Sequence, residues 1–126
     1  MNSGIKPDEQ AIEQFNDLKL NRKHAYMVCT LNDKVDGLVV EKMGDKGAPY
    51  QELVDLLPKD DCRYAICDFE YETNENPPRK TNKLIMFLWV PISTKVQRKF
   101  AFASSNDALK KGFTGIQKEI QVNIIY

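Results

Sequence analysis

The sequence predicts an α/β (α+β) fold: one domain whose central mixed β-sheet, of about five strands, is flanked by helices on both faces. Three observations predict it. Residues 25–31 and 84–90 are nearly unbroken apolar runs, the mark of strands covered on both sides. Helical and strand periodicities follow in the order helix, two strands, helix, two strands, long helix, strand, for which a buried mixed sheet is the economical arrangement. Residues 89–113 begin as the end of a strand, break at Pro91 and become a long amphipathic segment.

Taken in order, residues 1–6 are short and polar, a segment of the kind that stays mobile. Pro7 suits a first helical position, and Asp8 and Glu9 suit the positive end of a helix dipole. Ala11, Phe15 and Leu18 give a buried stripe, so a helix is expected over 7–18. The basic string Lys19, Arg22, Lys23, His24 reads as a solvated turn. His24 is the only histidine and has no metal or triad partner in view. Asn32-Asp33-Lys34 is a turn between the strand at 25–31 and a second at 38–41. Gly44, Gly47 and Pro49 read as a loop, without the glycine spacing and Lys-Ser/Thr ending of a phosphate-binding loop. Tyr50, Leu53, Val54 and Leu57 then mark a short helix stopped by Pro58.

Residues 63–71 alternate, Tyr64 and Ile66 against Ala65, Cys67 and Phe69, as a third strand does. A polar hairpin tip with two prolines spans 72–82, and residues 84–90 form a fourth strand. Pro91 cannot continue the ladder, and Ser93 or Thr94 offers a side-chain oxygen to cap the helix that follows. In that helix Lys95, Arg98 and Lys99 place three positive charges on one face. Phe102 and Leu109 point inward beside Ser105 and Ala108. Gly115 breaks the pattern, and 116–125 suits a last short strand.

Bulk properties exclude several classes. At 126 residues the chain is one domain, long enough to bury roughly two-thirds of its unfolded surface. Its formal net charge of zero gives no overall drive towards nucleic acid or membrane, so charge-driven binding must come from local patches. Cys29, Cys62 and Cys67 lack CxxC spacing and read as buried thiols in a reducing compartment. No apolar run approaches a membrane span, and no signal-peptide core is present, so the cytosol is expected, with nuclear entry left open. Neither Asp60-Asp61 nor Asp68/Glu70 is joined by a nucleophile or base in a catalytic spacing. No enzyme activity, cofactor or metal is expected.

The wording W-x-P-x-x-x-x-V-x-x-K-x-x-x-A-S-S-x-D-A-L-K-K from Trp89, followed by G-I-Q-K-E-I-Q, resembles the long actin-binding helix of the actin-depolymerising factor/cofilin family. M-N-S-G-I at the start and D-C-R-Y-A-I-C-D-F-E-Y at 61–71 agree with it, and the resemblance stays in register over nearly the whole chain. It implies the actin-depolymerising-factor-homology fold over 1–126, here without that family's C-terminal helix. It also implies a monomeric protein that binds actin monomers and filaments and promotes filament depolymerisation and severing. The alternative is a monomer-sequestering or filament side-binding relative of the same fold.

Carried over by position, the resemblance implies an actin contact through Ser3, Gly4, Ile5, Lys95, Arg98, Lys99, Phe100 and Ser104, with Ser3 also the inhibitory phosphorylation site. Arg79, Lys80 and Lys83 are the filament-contact candidates. Gln97, Phe100, Ile92 and Thr81 stand where the family usually carries, respectively, a basic residue, methionine, an acidic residue and, in some members, arginine. The basic faces also suit phosphoinositide head groups.

Overall fold

The computed structural model describes residues 5–124. Its first helix, α1 (Glu9–Asn16), is opened by Asp8, whose Oδ1 accepts the Ala11 N–H at 2.7 Å. Pro7, expected inside that helix, precedes it in a two-residue strand, β1 (Lys6–Pro7), which runs parallel to β3 (Gly37–Asp45). A residue without an N–H loses little in a short edge strand, and the capping role falls to the aspartate that follows. Beyond α1 the chain widens into a π-helical turn over Asp17–Asn21 and leaves it at Arg22 with φ 54°. The basic string is therefore not one solvated turn. Lys19 Nζ donates to the Thr114 carbonyl at 2.9 Å, and His24 opens β2 (His24–Leu31).

The remaining elements of the framework are α2 (Tyr50–Leu56), β4 (Arg63–Glu72), β5 (Lys80–Pro91) and β6 (Lys118–Ile124). Spatial order is β1-β3-β2-β4-β5-β6; the outer pairs β1–β3 and β5–β6 are parallel and the inner ones antiparallel. This is the mixed sheet the sequence predicts, with β1 as a sixth strand. Several strands outrun their apolar cores. The polar end of β3 pairs with β2 as far as Asp45, so Gly44 is strand and not loop. Lys80–Lys83, expected in or beside the hairpin tip, pair with Phe69–Glu72. Backbone pairing satisfies N–H and C=O groups whatever the side chain, which is why hydropathy underestimates these ends.

Two apolar layers cover the sheet. On one face Phe15 and Leu18 pack with Met27, Cys29, Tyr64, Ile66, Met86 and Leu88. On the other, Leu53 of α2 closes over Tyr26, Val28, Ala65 and Cys67. Strand β2 is thus buried on both sides, as expected. In β5 Leu84, Met86, Leu88 and the terminal Pro91 are buried, while Ile85, Phe87 and Trp89 are half-buried, so its second face is covered less than its hydropathy implies. All three cysteines are buried and free, and burial pushes the Cys67 thiol up to about 12. Among the described residues no helix is long and apolar enough to cross a membrane.

The expected single long helix is two: α3 (Val96–Ser104) and α4 (Asn106–Gly112). Ser105 sits at the break, fully buried, with its Oγ donating to the Ala101 carbonyl at 2.5 Å. A serine bonding back one turn in this way bends a helix. Phe102, Leu109 and Phe113 still face the core, and Phe113 stacks on Phe15 at 4.6 Å between centroids. Neither candidate cap is used, because Lys95 occupies the N-cap without a side-chain bond. Ser93 Oγ instead donates to the Lys59 carbonyl at 2.8 Å, and Thr94 is buried beside Cys62.

Gly44 carries a packing constraint of its own. A Cβ there would lie 2.1 Å from Cε2 of Tyr26, whose ring covers the glycine from the neighbouring strand and is tied by its hydroxyl to Glu52. Glycine to alanine in a strand ordinarily helps, but here the added methyl must displace a held ring. Gly44→Ala is expected to lose roughly 1–3 kcal/mol in urea unfolding, against a change within about 0.5 kcal/mol for exposed Lys46→Ala. An unchanged Gly44→Ala midpoint would show that the ring yields.

Candidate functional site

The surface around α3 is built from its seat outward. Phe102 is the buried anchor of α3, and the Tyr64 hydroxyl donates to its carbonyl from the strand below. Opposite that anchor the helix is apolar where a solvated face would be polar: Val96 is 61% exposed and Phe100 70%, one turn apart, with Ile92 57% exposed just before the helix. Large apolar side chains aligned in this way mark an interaction surface. Lys95 is exposed beside the stripe, and half-buried Lys99 sends its Nζ to the Ile92 carbonyl at 3.1 Å. Ser104 is exposed at the far end, with its Oγ on the Ala101 carbonyl at 3.2 Å.

Arg98 does not join Lys95 and Lys99 on that face, which corrects the expectation of three cations together. Its guanidinium grips Asp61 with two prongs, Nε to Oδ1 at 3.0 Å and Nη2 to Oδ2 at 2.6 Å, and lies over the Phe102 ring at 5.5 Å. Partial burial would push the Asp61 carboxyl up. Hydrogen bonds and charge from Arg98 and Arg63 outweigh that and hold it below the ordinary carboxylate value. The stripe Ile92/Val96/Phe100 is the part of the surface that a reading of charges passes over; its one-turn spacing is the available signal.

The other candidates lie elsewhere. Lys80 and Lys83 stand in the first part of β5 and α3 follows its end, so roughly 25–35 Å of strand runs from this cluster to the start of α3. Arg79 makes an exposed ion pair with Glu75 at 3.5 Å, and Lys83 Nζ lies 6.0 Å over the Tyr71 ring. Ile5 is only 5% exposed and belongs to the main core, so it offers little surface itself. Ser3 and Gly4 lie outside the described residues. His24 opens β2 and belongs to neither basic cluster.

The fold and this helix define the class: a mixed-sheet α/β protein with a basic, apolar-striped helix on its surface. The family model described as cofilin/tropomyosin-type actin-binding protein matches residues 4–124, and the chain belongs to that family. It is 41% identical over 121 residues to a cofilin of Mycosarcoma maydis, covering 96% of this chain and 85% of the relative. It is 36% identical over 119 residues to actin-depolymerizing factor 3 of Zea mays, covering 94% and 84%. The crystal structure of a Streptomyces griseoflavus cofilin superposes with a TM-score of 0.84 at 37% identity, covering 96% of this chain and 87% of that one.

The state of Asp61 sets a pH dependence. A carboxylate whose folded pKa lies below its unfolded value, near 4, stabilises the fold at all higher pH, and that stabilisation disappears as pH falls through the depressed folded value. Asp61→Asn is expected to lose roughly 1–3 kcal/mol at pH 7 by urea unfolding, with the gap to wild type closing below about pH 4. A gap independent of pH would place the loss in shape and not in charge.

Proposed function

We propose that this chain binds actin, as monomer and as filament, and promotes filament disassembly without any catalytic step of its own. The observation that carries the reading is the exposed Val96–Phe100 stripe flanked by Lys95 and Lys99, on a helix fixed to the sheet in a member of an actin-binding family. Apolar residues there supply contact area that excludes water, and the lysines steer approach to an acidic partner. Arg79, Lys80 and Lys83, at the far end of β5, suit a second actin subunit, and a protein that engages two subunits acts on filaments as well as monomers. Binding that favours one filament twist shifts the filament towards it, and strained boundaries then break. The name of the maize relative supports depolymerisation over sequestration alone.

The chain acts as a monomer on the cytoplasmic actin cytoskeleton, with nuclear entry left open. The same lysines suit phosphoinositide head groups, which would compete with actin. Phosphate on Ser3, which the family resemblance makes part of the actin contact, would add about two negative charges against an acidic partner, and so oppose binding.

Cosedimentation tests the whole reading. Protein in the filament pellet together with extra soluble actin is the expected result. Extra soluble actin with no bound protein would mean a monomer sequesterer, and no effect on either would overturn the reading. Phe100→Ala and Lys99→Ala should each weaken binding by roughly 1–3 kcal/mol with the fold intact by circular dichroism. Raising salt should shrink the Lys99→Ala loss and leave the Phe100→Ala loss in place.

A further inference from the structure

Three contacts join the loop between α2 and β4 to the place where β5 becomes α3. Trp89 Nε1 donates to the Pro58 carbonyl at 2.7 Å, and Ser93 Oγ to the Lys59 carbonyl at 2.8 Å. The two-pronged Arg98–Asp61 pair follows, so the contacts advance in step along both segments. Asp61 is held from behind as well. Arg63 Nη1 reaches its Oδ2 at 2.7 Å, and the other nitrogens of Arg63 reach Glu41 at 3.1 and 3.2 Å. The Cys62 N–H donates to its Oδ1 at 2.9 Å.

This brace matters because α3 is otherwise weakly constrained at its start. Phe102, in its second half, is its fully buried side chain, and its N-cap makes no side-chain bond. A helix pinned at one point can pivot, and a second pin one turn earlier fixes the direction of its axis. A planar two-pronged arginine–carboxylate pair is suited to that, since it constrains angle as well as distance.

We propose that Asp61, acting through Arg98, is the positioning residue of the binding helix. It sets the angle at which α3 presents Val96, Lys99 and Phe100, and Arg98 makes no contact with actin itself. The proposal rests on the actin-binding reading above. Arg98 and Lys99, though neighbours in sequence, thus have different roles, since Arg98 orients the helix and Lys99 meets the partner.

Association and dissociation rates with actin, at low and raised salt, test it in Asp61→Asn, Arg98→Gln, Arg98→Lys and the Asp61→Asn/Arg98→Gln double variant. Near-ultraviolet circular dichroism gives the folded fraction of each. Each single variant should weaken binding about fivefold through faster dissociation, with association and its salt dependence unchanged, and the double variant should be no weaker than the weaker single. Arg98→Lys keeps the charge but loses the fork, so it should fail to rescue. Wild-type affinity in Arg98→Lys or Asp61→Asn, losses that add, or slower association in Arg98→Gln would each overturn the proposal and make Arg98 a direct contact. A wild-type chain that leaves actin unbound would overturn the functional reading, and the proposal with it.

Discussion

Burial of β2 on both faces is the constraint from which the other elements take their places. Tyr26 and Val28 point to one side and Met27 and Cys29 to the other, and all four are buried. Each apolar side chain of this size contributes about 1.5–3 kcal/mol when removed from water, so neither side can be left open. One helix layer therefore has to form on each face. The α2 layer closes over Tyr26 and Val28, and the layer of α1, α3 and α4 closes over Met27 and Cys29. The antiparallel pairing of β4 with β2 then carries Tyr64 to the position from which its hydroxyl reaches the Phe102 carbonyl. Placement of α3 is in that sense a consequence of β2.

The same layering separates two kinds of charged residue in a chain with no net charge. Some cations are used up in intramolecular pairs, partly exposed: Arg22 pairs with Asp68 and Glu70, Arg63 with Asp61 and Glu41, Arg98 with Asp61. Lys80 and Lys95, by contrast, stand exposed at the starts of β5 and α3. Arginine holds the internal posts because its planar, weakly hydrated fork loses less on leaving water than an ammonium does. Lysine, a strongly hydrated point charge on a flexible stem, keeps its ammonium at the surface, whether free as in Lys95 or paired as in Lys110 with Glu119 at 3.3 Å. A basic site can thus exist on a neutral protein without a large uncompensated field.

Much of this was legible beforehand, and the reasons for the exceptions are physical. The buried runs at β2 and β5, the alternation of β4 and the stripe Ala11/Phe15/Leu18 follow from local spacing, which the fold preserves. What failed depended on partners distant in sequence. Pro7 looked helical until β3 supplied a strand beside it, and Gly44 looked like a loop until the Tyr26 ring covered it. Ser93 looked like a cap until the Lys59 carbonyl claimed it, and Thr94 until the fold buried it on the core-facing side of the turn. Arg98 is the instructive case at the site. Its helical spacing matches Lys95 and Lys99, yet Asp61, 37 residues away, turns it inward. Family resemblance pointed to α3, and the apolar stripe on it needed the exposures of Val96 and Phe100 to be seen.

The kink at Ser105 joins these threads. A straight helix from Val96 to Gly112 would be about 25 Å long, and one straight axis would have to serve both the Tyr64–Phe102 contact and the Phe15–Phe113 stack. The break at a buried serine whose hydroxyl bonds back to Ala101 divides the segment, and each half packs on its own part of the core. The second half is fixed through Leu109 and Phe113, both fully buried. The first half, relieved of that duty, keeps Val96 and Phe100 outward and depends for its direction on Phe102 and the Arg98 fork. Separating the half held by Leu109 and Phe113 from the half that carries Val96 and Phe100 allows the exposed apolar stripe to exist without weakening the core beneath it.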